Sequence, residues 1–303
     1  MAIKTIVVGI DFSEESEIAL AQAHEIARHT GARLVLVHAG VVPEEPIGVP
    51  EGMSSTVDAY RSELRERLGK DRETLESIRQ RRLGQGAELS NMVIEGFPDT
   101  ALCKASEDLD ADLVAVGTHG QTGLKRFLLG SVAERVVRLC SCKVLVARQG
   151  KDVYGKILVA TDFSESAHTV VKAAIEVAGP GAQIDLLYCW NLPVMASSYY
   201  APASAETGVT GPLREGIIQA AEEKAAELIK QYQQDDVELS FTTVQAPPAY
   251  GIQEKAEEGK YDLVVMGSHG RRGVRRWILG SVAEVTVRHA PCSVLVVHPE
   301  DAH

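Results

Sequence analysis

The sequence predicts an α/β protein of two tandem domains, each a doubly wound sheet of five parallel strands. Three observations predict it. The chain repeats itself: "KTIVVGIDFSEES" from Lys4 returns as "KILVATDFSESA" from Lys156, and more than half of the positions from Asp112 to Val146 are identical to those from Asp262 to Val296. Within each copy, short apolar runs alternate with stretches of helical periodicity, the pattern of βαβ units on a parallel sheet. The length of 303 residues allows two domains of roughly 150 residues, each able to bury a core.

The first copy reads in order. "TIVVGI" is a strand, and Glu14 to His29 is a helix with Ile18, Leu20, Ala23, Ile26 and Ala27 on one face. "RLVLVHA" is the second strand, followed by a charged helix near Val57 to Arg82, whose arginines alternate with acids as on a solvated face. Strand "NMVIEG", helix Thr100 to Leu109, strand "DLVAVG", helix Val132 to Leu139 and strand "KVLVA" complete the copy. The second repeats the order with "KILVAT", "QIDLLYC", "VELSFTTV", "DLVVMG" and "SVLVV" as strands. The boundary falls in the short polar segment "RQGKDVYG", giving domains at 1–149 and 154–303. "GVVPEEPIGVPEGMSS" and "NLPVMASSYYAPASAETGVTGP" are long loops after the second strand of each copy, read as covers for a ligand, docking surfaces or plain surface excursions.

Composition narrows the function. Hydrophobic residues at 45% and charged residues at 24% describe a globular chain. A net charge of -11 repels polyanions, and aromatics at 5% leave little for base stacking, so no nucleic acid is expected as a partner. No apolar run reaches the roughly 18 residues of a membrane span, and "MAIKTIVVGIDF" lacks the flanks of a secretory signal, so the expected address is cytoplasmic. The five cysteines, Cys103, Cys140, Cys142, Cys189 and Cys292, form no disulfide framework and are expected as reduced thiols. The lone C-S-C of Cys140 and Cys142 has no partner pair for a metal, and none is expected.

Ligands of open parallel sheets bind beyond the carboxyl ends of the strands, where strand order reverses. Behind the fourth strand of each copy stands a glycine loop, "GTHGQTGLKRFLLGS" and "GSHGRRGVRRWILGS". Gly117, Gly120 and Gly130 permit close approach of a ligand to backbone, Ser131 adds a hydroxyl, and the helix that begins there favours an anion. Gly267, Gly270, Gly280 and Ser281 repeat this. The bland reading is local: Ser131 with Glu134 and Ser281 with Glu284 are S-x-x-E capping boxes, and Asp11 and Asp162 also stand where they would cap the first helix of each copy. Convergence of glycines, helix start and Asp on one sheet edge, twice, favours a phosphate ligand. There is no G-x-x-x-x-G-K-[ST], and no G-x-G-x-x-G follows the first strand, which excludes a Walker loop and argues against a dinucleotide site. The second loop carries Arg271, Arg272, Arg275 and Arg276 against Lys125 and Arg126 in the first, so the second site is expected to hold a phosphate more tightly.

A G-x-x-G followed after nine residues by G-S, twice, with Asp11 and Asp162 closing the first strands, resembles the universal stress protein family, in particular its tandem ATP-binding members. The resemblance implies strand order 3-2-1-4-5 in each domain, with the fifth strands paired so that the chain packs as an intramolecular pseudo-dimer; further homo-oligomers stay open. It implies ATP, with Mg2+, in each half, at Asp11, Ala39, Val116, Gly117, His119, Gly120, Gly130, Ser131 and Val132, and at Asp162, Cys189, Met266, Gly267, His269, Gly270, Gly280, Ser281 and Val282. Cys189, followed by Trp190, is a less usual wall for adenine. The implied role is a nucleotide-dependent stress-response module, with an unknown protein partner open. No nucleophile, base and orienter form a set, so at most weak ATPase activity is expected. A slow hydrolase or phosphotransferase and an interaction protein with vestigial pockets are the alternatives.

Overall fold

The computed structural model describes residues 3–43, 54–82, 86–120, 129–191, 206–234, 236–270 and 279–298. The first half runs β1 (Thr5–Gly9), α1 (Glu14–Thr30), β2 (Arg33–Gly40), α2 (Ser54–Arg82), β3 (Leu89–Glu95), α3 (Pro98–Asp108), β4 (Leu113–Gly117), α4 (Ser131–Leu139) and β5 (Lys143–Ala147). The second runs β6 (Tyr154–Ala160), α5 (Ala167–Val177), β7 (Ala178–Trp190), α6 (Glu206–Tyr232), β8 (Val237–Gln245), α7 (Pro248–Glu258), β9 (Leu263–Gly267), α8 (Ser281–His289) and β10 (Ser293–Val297). The long loops after β2 and β7, and the arginine-rich part of the second glycine loop, lie largely outside the described residues.

One sheet carries all ten strands, in the order β3-β2-β1-β4-β5-β10-β9-β6-β7-β8. Pairing is parallel inside each half, and β5 meets β10 antiparallel, with Val144, Leu145 and Val146 opposite Val296, Leu295 and Val294. Strand periodicity sorts side chains into two layers. Ile6, Val8, Leu34, Leu36 and Leu145 pack with α1 and α2 on one face. Val7, Val35, Val37, Val114, Val144 and Val146 pack with α3 and α4 on the other. Because strands buried on both faces have no polar side, they read as continuous apolar runs.

Local signals set the helix ends. Ser13 caps α1 by accepting from the Ser16 N–H, Glu14, Glu15 and Glu17 fill its first turn, and Gly31 at φ 75° stops it. Strand β7 starts at Ala178, five residues before the apolar run that predicts it. Its first residue pairs with Tyr154, and the register then shifts before Lys156 meets Gln183. Neither the shift nor the early start leaves a mark in the hydrophobic pattern.

The expectation of five reduced thiols is corrected. Cys103 on α3 and Cys140 at the end of α4 are joined by a disulfide. The two helices pack side by side on the sheet and bring residues 37 positions apart to a Cα separation of 4.9 Å, a proximity that spacing in the sequence does not show. Cys142, Cys189 and Cys292 are free. Burial pushes their thiols up, to about 11, 11 and 12 respectively, which makes them inert packing groups.

Polar groups cross the seam between the halves beneath β5 and β10. The Tyr154 hydroxyl donates to Gln22 Oε1 at 2.8 Å, and Ser293 Oγ donates to the same atom at 2.9 Å. Gln22 Nε2 donates to the Arg148 carbonyl at 2.8 Å. The Arg148 guanidinium donates to the carbonyls of Val287 and Arg288 at the end of α8, at 2.7 and 3.2 Å. Arg148 and Tyr154 belong to the "RQGKDVYG" segment, so the linker is held into the structure at both ends.

Candidate functional site

Strand order reverses between β1 and β4 in the first half, and the loops leaving both strands meet at that edge. After β1, the Ile10 N–H donates to the Val37 carbonyl at 2.8 Å and carries the ladder one residue further. Asp11 then turns inward: its Oδ1 accepts from the N–H of Ser13 at 3.1 Å and from the Ser13 hydroxyl. Ser13, not Asp11, is the α1 cap. Asp11 Oδ2 faces the glycine loop, where a Cβ on Gly120 would stand 2.5 Å away. The loop therefore needs a residue without a side chain at 120 to close over the aspartate.

The loop ends in a tight contact with its own start. The Gly130 N–H donates to the Thr118 carbonyl at 2.7 Å, and a Cβ on Gly130 would lie 3.0 Å from that oxygen. Gly117 answers a different demand, since its Cβ would fall 2.7 Å from the Glu15 backbone in α1. Thus two motif glycines are required by backbone packing, which shapes the loop that a ligand would meet.

Gly130 is also the N-cap of α4, with extended φ and ψ and no side-chain cap; Gly280 does the same for α8. Ser131 and Ser281 are the first helical residues, one position too late for the capping box. Glu134 turns instead to Arg138 and, across the seam, to Arg288. The capping-box reading is thereby set aside, and among the described residues no side chain caps the first N–H groups of α4.

Around these groups lies a cleft of about 190 Å³. All nine residues expected in the first half line it: Asp11 from the β1 loop, Ala39 from β2, Val116, Gly117, His119 and Gly120 from β4 and its loop, and Gly130, Ser131 and Val132 from the start of α4. Sequence reasoning missed Pro98 and Leu102, which α3 contributes from a distant part of the chain, as well as Gly9, Val37 and Thr118. The start of a helix after the third strand, on the same sheet edge, was the available signal for Pro98. His119 donates or accepts at Nδ1 with Thr118 Oγ1, 3.0 Å away, while its Nε2 has no partner among the described residues. Among the described residues no cluster of histidine, cysteine and carboxylate side chains is arranged to hold a metal.

The second half repeats the frame with bulkier lining. Asp162 Oδ1 accepts from the Ser164 N–H at 2.9 Å, and its Oδ2 lies 3.0 Å from where a Gly270 Cβ would stand. The Gly280 N–H donates to the Ser268 carbonyl at 2.8 Å. His269 pairs with Ser268 as His119 does with Thr118, and its Nε2 too has no partner among the described residues. Met266, Gly267 and Val282 hold the positions of Val116, Gly117 and Val132. Ala160 replaces Gly9, Leu187 replaces Val37 and Cys189 replaces Ala39. The Cys189 sulfur stands 2.8 Å from the Cβ position of Gly251, so this wall is packed against α7.

The profile of the universal stress protein family matches residues 2–148 and again 154–298. The chain belongs to the universal stress protein family. This tandem universal stress protein is 27% identical over 311 residues to a universal stress protein of Mycobacterium tuberculosis, with 96% of each chain covered. A universal stress protein of Methanocaldococcus jannaschii is 30% identical over 157 residues, 95% of its own length and 48% of this chain. In fold, a putative universal stress protein from Pseudomonas aeruginosa superposes with a TM-score of 0.63 at 18% identity, over 99% of this chain and 95% of that one. No helix among the described residues is long and apolar enough to cross a membrane.

Proposed function

We propose that this universal stress protein binds ATP with Mg2+ in each half and acts as a nucleotide-dependent stress-response module in the cytoplasm, with domains at 1–149 and 154–303. One observation carries the reading: nine residues from four segments of the first half, the β1 loop, β2, β4 with its loop and the start of α4, line one cleft. The residues suit the ligand. Phosphates take the α4 N–H groups and the Ser131 hydroxyl, while Asp11 accepts from ribose or base and Val37, Ala39 and Leu102 enclose the base. His119 lines the same cleft, and its Nε2, without a partner among the described residues, is a further polar group there. The second half takes ATP at Asp162, Cys189, Met266, Gly267, His269, Gly270, Gly280, Ser281 and Val282. Mg2+ arrives with the phosphates rather than on a protein cage.

Denaturing freshly purified protein and identifying the released small molecule tests this. Adenine nucleotide approaching two per chain is expected. Recovery of none, together with no calorimetric signal on adding ATP and magnesium, would overturn the reading in favour of an interaction protein. Gly130→Val is expected to abolish binding in the first half alone, since its Cβ meets the Thr118 carbonyl and its methyls fill the approach to α4. Turnover measured on the purified chain separates a nucleotide holder from a slow hydrolase.

A further inference from the structure

Two ties hold α3 against α4 in the first half, and the matching positions of the second half can form neither. Asp99, buried at the start of α3, accepts from Arg135 on α4 at 3.2 Å. Cys103, one turn further along α3, is joined to Cys140, which follows Arg135 by five residues at the end of α4. At 1.5 Å per residue the two ties stand about 6 Å apart along one helix and about 7.5 Å apart along the other. Two such points fix the angle between the helices, whereas a single point lets them swivel. Ala249, Gln253, Val285 and Ala290 hold the four positions in the second half, so α7 and α8 pack there without an ion pair or a bond.

The same two helices wall the nucleotide cleft. Pro98 and Leu102, the residues just before Asp99 and Cys103, line it from α3, and Gly130 to Ala133 line it from the start of α4. The angle between α3 and α4 therefore sets how far Leu102 stands from the first N–H groups of α4. Cys103 and Cys140 are only 8% and 2% exposed, so a thiol reaches the bond when the helices part. A ligand seated between them opposes that parting. Cys142, two residues past Cys140, does not compete, because burial pushes its thiol up to about 11 and leaves almost no thiolate at neutral pH. The exchange partner of the bond is thus an external thiol.

In the cytoplasm, where glutathione keeps thiols reduced, disulfides are as a rule transient and redox-sensing. We propose that Cys103 and Cys140 form a thiol–disulfide switch, exchanging with glutathione and its disulfide, which tightens nucleotide binding in the first half when oxidised and leaves the second half unaffected. The switch acts on the ATP site proposed above and rests on that reading. Closing it consumes one glutathione disulfide: the Cys103–Cys140 bond forms, the glutathione sulfur–sulfur bond breaks, and the two protons of the cysteine thiols pass to two glutathione thiols. Opening is the reverse, with two glutathione thiols as the reductant. Because linkage is reciprocal, ATP favours the closed bond by the same factor by which the bond favours ATP.

A full-length Gly280→Val protein, in which the new Cβ meets the Ser268 carbonyl at 3.0 Å, keeps only the first site and reads the switch by calorimetry with ATP and magnesium. Reduction, checked by alkylation, is expected to weaken ATP about tenfold, and reoxidation with glutathione disulfide to restore it. In the Gly130→Val protein, which keeps only the second site, reductant is expected to change nothing. Cys103→Gln combined with Cys140→Ala copies the second half; it is expected to melt cooperatively and to bind ATP like the reduced protein, with or without reductant. Arg135→Ala, on an exposed side chain, should change the affinity of the oxidised protein by less than about twofold. In the reduced protein it removes the remaining tie and should weaken ATP severalfold further. Across glutathione buffers, saturating ATP should raise about tenfold the ratio of squared glutathione to its disulfide at which half of the bond opens. ATP bound equally by oxidised and reduced protein, opening indifferent to ATP, or a bond that millimolar glutathione leaves closed without ATP would overturn the switch alone. No ATP binding in either redox state would overturn the nucleotide reading and the switch together.

Discussion

At the scale of single residues, the hydroxyl of Ser131 separates a structural role from a binding one. An N-cap serine is worth about 1 kcal/mol of stability, but here Gly130 holds the cap position and Ser131 sits inside the helix. Ser131→Ala is therefore expected to leave the melting temperature unchanged. It should weaken ATP at the first site roughly fivefold, the worth of one hydrogen bond of about 1 kcal/mol. Thermal melts beside ATP titrations check this, and a loss of stability without a loss of affinity would contradict it. Sequence alone left both readings of the serine open, because S-x-x-E spacing is the same whether the serine is at the cap or one position after it. The glycine before it decides the matter through its extended backbone.

At the scale of elements, α3 and α4 form one clamp beside the first cleft. Leu102 of α3 and Ala133 of α4 line that cleft, Asp99 and Arg135 pair across the two helices at 3.2 Å, and the Cys103–Cys140 bond ties them one residue beyond Leu102. The second half has Gln253 and Ala290 at these cysteine positions, so the tie belongs to the first half alone. Closing a loop between residues 37 apart stabilises a fold by roughly 3 to 4 kcal/mol in the chain-entropy account. Cys103→Ser is expected to lower unfolding free energy by about that amount in denaturant melts. Alkylation of unreduced, denatured protein should label three thiols, and labelling of all five would contradict the bond. The helices themselves were legible from their periodicity and from Pro98 at the α3 start. Their adjacency was not, since neither helix carries a mark of the other.

At the scale of the whole molecule, the shared sheet buries strands that would otherwise be edges. Val144, Leu145 and Val146 of β5 are fully buried against β10. A chain of residues 1–149 alone would expose that edge, a template for pairing with another copy. It is expected to self-associate, with mass rising with concentration in sedimentation equilibrium; a strictly monomeric half would contradict the role of the seam. Acid is expected to weaken the structure through two histidines. Burial first, and then the neighbouring His269, lowers His298 to about 4 from 6.5, although the Val137 backbone favours its charged form. Burial first, and then Arg82, lowers His24. Their folded forms resist protonation while the unfolded chain accepts it. Stability is therefore unaffected above pH 6.5 and lost as pH falls from there toward 4, by at most about 3 kcal/mol for His298. His298→Gln should flatten that decline in melts taken across the window.

What the sequence determined by itself is whatever is written in contiguous residues. The duplication, the order of strands and helices, and the glycine loops with Asp11 and Asp162 are periodic or spaced signals, and the packing of a half-turn or a pleat reads them directly. The position of the expected residues on one sheet edge follows from that order, because parallel crossovers return every loop after a strand to the same end. Only the tertiary structure decided the rest. It brought Pro98 and Leu102 to the first cleft, joined Cys103 to Cys140, and gathered Gln22, Tyr154 and Ser293 under the seam. Each of these pairs residues far apart in the chain, and their meeting depends on how helices of given width settle on a twisted sheet. No local pattern records that distance, so it becomes visible only when the layers are packed.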